Sequence, residues 1–262
     1  MLRKLMKYEF MAMGRIFLPL FAALVVISLV NSIFGAIGLS TPQTIGIVVS
    51  VFLMVGIAVI TLIIILQRFW TNLLSNEGYL MMTLPVCPDK LIFSKLFTAS
   101  VLSIASAVVV MIAILIMAIT SFSFSDFAQA IRYIFSWSPF STTQTFILAV
   151  ELKMAIILSM FTNIMLLYAC MSLSMVSNKH RWLVAIGAYI AITTAMQILA
   201  AIAMAIGAAT GLFRGIEKFL LSFPSFGQIQ LMFLGFMLLC AALFAAFYFT
   251  TRYMLKNRLN LQ

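Results

Sequence analysis

Polar and apolar positions alternate along this chain in long blocks rather than at helical or strand period. No charged residue occurs from Ile16 to Gln67, a run of 52 residues. One helix crosses a hydrocarbon core with about 20 residues, so this run holds two, at 16–38 and 44–67. Between them Gly38-Leu39-Ser40-Thr41-Pro42-Gln43 carries turn residues. The next uncharged block, Leu96 to Ser125, predicts a third span at 96–120. A fourth covers 147–176, and its start is indistinct because Phe146 to Val150 is apolar ahead of Glu151 and Lys153. A fifth covers 183–206 and a sixth 229–251. The fold class is all-α: six transmembrane helices in a single domain over residues 1–262.

Composition agrees with the block pattern. The 262 residues are 65% hydrophobic and 8% charged, with a mean hydropathy of +1.19. Soluble domains run nearer 45–50% apolar and 25% charged. One aqueous core cannot hide so much apolar surface, so lipid is part of the solvent. This excludes a soluble enzyme, a disulfide scaffold, a disordered tail and a nucleic-acid-binding domain. Cys87, Cys170 and Cys240 lie far apart and the chain has one histidine, His180, so no metal cluster is expected. The first apolar stretch is too long for a secretory leader and lacks a small-residue cleavage site, so it is expected to be retained.

The net charge of +10 changes meaning once it is placed. With the N-terminus inside, the inner segments hold Arg3, Lys4, Lys7, Arg15, Arg68, Lys90, Lys95, Lys179, Arg181, Arg252, Lys256 and Arg258. The outer ones hold Arg132, Lys153, Arg214 and Lys218. Basic residues mark the cytoplasmic side, so both termini are expected there, and the basic surplus faces anionic lipid.

Residues 2–15 form a basic amphipathic helix suited to the inner interface. Arg3, Lys4, Lys7 and Arg15 share one arc; Leu2, Leu5, Met6, Phe10 and Met13 fall on the other side. Glu9 interrupts the apolar arc. It is either a fringe carboxylate pairing with Lys4 or Arg15, or a contact to a basic group on a partner.

The cytoplasmic loop 67–95 is the richest segment. Leu73 to Leu84 is apolar enough for a short helix, which Pro85 and Pro88 stop. It displays Tyr79, Leu80, Met81, Met82 and Leu84 on the water side, a face that wants a groove on lipid or on protein.

Glu77-Gly78, then Leu84-Pro85-Val86, then Lys95 at the mouth of the next span, resembles the coupling-helix region of ABC type-2 exporter permeases. Lys7-Tyr8-Glu9 is similar to the Lys-x-Glu element of that family's amphipathic elbow helix. The six-span, both-ends-in plan agrees along the whole chain. The family often has Thr after the Glu-Gly pair; Tyr79 departs from this and is more like small permeases of Gram-positive bacteria. The resemblance implies a bacterial plasma-membrane exporter subunit whose short helix sits in a cleft of a cytoplasmic ATPase. Leu73, Glu77, Gly78, Tyr79, Leu80, Leu84, Pro85 and Glu9 would be the coupling contacts. It also implies a second copy or a sister permease, and an outer gate in the segment 207–228 carrying Arg214 and Glu217.

What the sequence lacks points the same way. No Gly-x-x-x-x-Gly-Lys-[Ser/Thr] loop occurs, so ATP and Mg are expected on a separate chain and no cofactor on this one. No catalytic constellation has spacing support, and no enzyme activity is expected of this chain. An ion-driven carrier needs ionisable groups deep in the bilayer; Glu151 and Lys153 approach it and are expected at the outer end of the fourth helix, beside the interfacial segment 121–145. A channel, a secondary carrier and a non-transporting scaffold are the alternatives. Asn31, Thr61, Ser103, Ser106, Thr162, Asn163, Thr193, Thr194 and Gln197 lie within spans, each able to line a path or to bond a neighbouring helix. Asn163 and Gln197 are the favoured path residues, since amides have most to satisfy. Ala201, Ala205 and Ala209 recur every fourth residue and predict close helix contact.

Overall fold

The computed structural model describes residues 2–71, 88–121, 129, 141–176, 181–211, 215, 221 and 223–257. Among these the protein is all helical: α1 Leu2–Ile37, α2 Ser40–Phe69, α3 Pro88–Ser121, α4 Thr142–Leu173, α5 Arg181–Ala209 and α6 Ser225–Asn257. A single 3₁₀ turn, Ser174–Val176, follows α4. All six helices contain a stretch long and apolar enough to cross a membrane.

Each helix is longer than the apolar block that predicts it, although α4 stops at Leu173, short of the predicted 176, and hydrogen-bond caps mark the end of α1 and the start of α4. At the first turn Gly38 adopts a left-handed backbone, φ 80°, which costs a glycine nothing. Its N–H donates to the Gly35 carbonyl (3.2 Å) and the Leu39 N–H to the Phe34 carbonyl (3.1 Å). This paired closure satisfies carbonyls that α1 would leave open, and α2 restarts two residues later. α3 begins at Pro88, whose missing N–H costs nothing in a first turn, with Asp89 beside the positive end of the helix.

The start of α4 matters most. Ser141 Oγ accepts from the Gln144 N–H (3.4 Å), and Gln144 Oε1 accepts from the Ser141 N–H (3.0 Å). This reciprocal pair is a capping box. It begins the helix five residues before the predicted start at 147. The amphipathic segment 2–15 is likewise helical but continuous with the first span, with no break to set it off as a separate element.

The chain forms two compact units. One takes α1, α2 and α3; the other takes α4, α5 and α6, with residues 70 and 71. In the first, α1 packs most extensively on α3 and then on α2. Leu24 of α1, Ile57 of α2 and Ala113 of α3 make its fully buried centre, enclosed by Leu20, Phe21, Leu53, Met54, Val109 and Val110. In the second, α4 is central, flanked by α6 and less extensively by α5. Its buried stretch runs from Ile164 to Ser172 and includes Met165, Tyr168 and Cys170. Along α5 the buried residues are Ala185 and Gly207; Ala201, Ala205 and Ala209 are exposed rather than packed as predicted.

Candidate functional site

The predicted coupling residues Leu73, Glu77, Gly78, Tyr79, Leu80, Leu84 and Pro85 lie outside the described residues, as do Arg214 and Glu217 of the predicted outer gate. Glu9 lies on α1, with its backbone alone described. The flanks of the loop are described. α2 ends in a widened turn at Trp70 and Thr71 after the fully buried Phe69. The Trp70 ring stacks on Trp182 at the start of α5, centroids 5.2 Å apart and planes 27° from parallel. Such an aromatic pair contributes about 0.5–1.5 kcal/mol beyond burial. On the far side Lys95 is buried, 2% exposed, and is not without a partner.

The predicted path residues Asn163 and Gln197 lie on α4 and α5. Both are exposed on the helices that carry them. The hydroxyls also depart from expectation: instead of bonding neighbouring helices, they mostly turn back on their own. Ser28 donates to the Leu24 carbonyl (2.8 Å), Thr61 to Ile57 (2.6 Å), Ser106 to Ser103 (2.9 Å) and Thr193 to Tyr189 (2.7 Å). Back-bonding of this kind satisfies a hydroxyl without a partner helix. Thr162 is the exception, since it donates to its own Leu158 carbonyl (2.9 Å) and to that of Cys240 on α6 (3.2 Å).

The capping box makes Glu151 the tenth residue of the 32-residue α4, five residues further into the helix than the predicted start at 147 implies. Gln230 Nε2 on α6 donates to Glu151 Oε1 (3.4 Å). Glu151 Oε2 is buried and accepts no hydrogen bond. Lys153 is exposed and, two residues on, faces another side of the helix.

A cavity of about 680 Å³ opens beside Glu151 and Gln230, walled by Leu158 of α4 and by Phe223, Leu231, Leu234 and Leu238 of α6 and its approach. Leu234 and Leu238 are 56% and 63% exposed, so the groove is open along α6. Its size is that of a small-molecule site, and one polar pair in an apolar wall is how such sites orient a ligand. Among the described residues no three His, Cys, Asp or Glu meet as metal ligands; Cys170 and Cys240 are buried free thiols.

The fold is that of an α-helical, multi-pass membrane protein, and its second unit carries an apolar groove beside one carboxylate. No protein-family model, curated protein or solved structure matches the chain.

Proposed function

We propose that this chain is the membrane-spanning permease subunit of an ATP-binding-cassette exporter in a bacterial plasma membrane, with both termini cytoplasmic. ATP and Mg bind a separate cytoplasmic ATPase chain. The helix 73–84 transmits closure of that ATPase to the spans, which alternate access between two permease copies or sister chains. The observation that carries the proposal is the loop 67–95, whose Glu77-Gly78, Leu84-Pro85 and Lys95 follow the family pattern between two long apolar helices. The six-span plan and the basic-residue asymmetry support it. The exposed alanines of α5 leave room for the close approach of a second copy.

Co-purification with an ATPase encoded beside this chain tests the proposal. A stable complex is expected, whose ATP turnover falls at least tenfold when 73–84 is deleted while the spans still assemble. Substrate flux in vesicles without ATP, and no ATPase partner, would overturn it.

One observation favours a second reading. Glu151, a carboxylate on an apolar helix with one buried oxygen unpaired, is the kind of group an ion-coupled carrier uses. In that case flux follows a proton or cation gradient and stops in Glu151→Gln with ATP present.

A further inference from the structure

We propose that the groove between α4 and α6 binds an amphiphile with an ammonium head and a single apolar tail, the head on Glu151. This stands whether or not an ATPase drives the chain.

Three observations converge. First, the Glu151 carboxylate has one oxygen committed to Gln230 and the other, Oε2, unused. Two acceptor sites there match a cation that also donates hydrogen bonds, and no basic side chain among the described residues supplies one. An ion–acceptor bond is among the stronger polar contacts, more so where water is scarce. Glu151 lines the groove, and the last torsion of a glutamate is broad and soft.

Second, the wall beyond the carboxylate is apolar. From Glu151 to Leu158 it runs about 10 Å along α4, facing Leu231, Leu234 and Leu238 of α6. A neutral or zwitterionic polar solute would leave this wall wet and unmatched. An alkyl tail buries against it and gains about 0.8 kcal/mol per methylene. Third, the volume of about 680 Å³ falls in the roughly 300–1,000 Å³ of sites for one small ligand. The opening along α6 past Leu234 and Leu238 lets an amphiphile enter.

Gly227 offers a way to close the groove without touching the carboxylate. A Cβ there meets nothing nearer than Phe223 Cβ at 3.5 Å, ordinary contact, so a larger side chain fits the backbone and occupies groove space.

The test measures equilibrium binding of radiolabelled dodecylamine to the full chain in phosphatidylcholine nanodiscs at neutral pH. Saturable binding is expected. Glu151→Gln should weaken it about tenfold or more, the scale of one charge-assisted hydrogen bond. Gly227→Leu should weaken it comparably by filling space, and unlabelled dodecanol should compete at least tenfold less well than dodecylamine. The dodecanol comparison uses the unaltered protein, so it decides even where a variant fails to fold. Equal competition by dodecanol, or unchanged binding in a folded Glu151→Gln, would show an unselective lipid crevice and overturn the proposal. Loss of dodecylamine binding when phosphatidylethanolamine replaces half the phosphatidylcholine would assign the groove to a bilayer lipid, and would overturn it too.

Discussion

The two units treat the same problem in opposite ways. Each contains a buried side-chain oxygen without a hydrogen bond: Asn31 Oδ1 in the first and Glu151 Oε2 in the second. Asn31 is 3% exposed and is pressed against the bare backbone of Gly46. A Cβ at Gly46 would collide with Asn31 Oδ1 and lie 2.9 Å from Asn31 Cγ and 3.2 Å from its Cβ. Its unpaired oxygen is sealed by a close crossing of α1 and α2. The Glu151 oxygen instead stands beside about 680 Å³ of open groove. An unsatisfied acceptor costs about 1–3 kcal/mol wherever it is buried. Where packing encloses it, the close contact offsets that cost and nothing else reaches it. Where a groove adjoins it, a ligand can satisfy it.

The comparison breaks first at Gly46. Gly46→Ala places a methyl group where Asn31 already stands, and overpacking of this kind costs about 1–3 kcal/mol. The melting temperature of the purified chain in detergent should fall clearly, and Asn31→Ala in the same chain should restore most of it. A Gly46→Ala protein as stable as the original would show that the α1–α2 crossing is loose and Asn31 not sealed.

A smaller effect is expected at Ser141. Ser141→Ala removes the side-chain acceptor of the capping box and costs about 1 kcal/mol. The loss should be local: amide hydrogen exchange should rise over Thr142 to Thr145 and remain unchanged at Tyr168. Exchange rising along all of α4 would mean that the cap holds the whole helix, and with it the position of Glu151.

Much of the fold is legible in the sequence, because lipid imposes a coarse rule: charge-free runs of about 20 residues become spans. Five such runs, the first long enough for two spans, predict six helices in the right order, and the turn that divides the first is visible at Gly38 as Gly-x-Ser-x-Pro. The ends are less legible, since hydropathy stops at the first polar residue while the backbone stops where its hydrogen bonds are satisfied. Ser141-x-x-Gln144 was the available signal for the true start of α4, and the apolar run after it masked its importance. The groove was not legible at all. Glu151 and Gln230 are 79 residues apart, and only the packing of α4 on α6 brings them together. Asn163 and Gln197 are both exposed, and which way a helix that is apolar all round turns its polar residues is not fixed by one sequence.

The smallest expected effect sharpens the comparison most. Glu151→Gln keeps an oxygen for Gln230 and replaces the carboxylate by a neutral amide of nearly the same shape. If the carboxylate serves binding rather than folding, the melting temperature should not fall, and any change should stay within about 0.5 kcal/mol or be stabilising. If Glu151 instead anchors the fold through a buried ion pair, removing its charge strands the partner and costs about 3–5 kcal/mol, more than the loss at Gly46. A thermal scan of the two variants side by side separates the cases. A Glu151→Gln protein less stable than Gly46→Ala would place both unpaired oxygens in the same structural class and end the distinction between them.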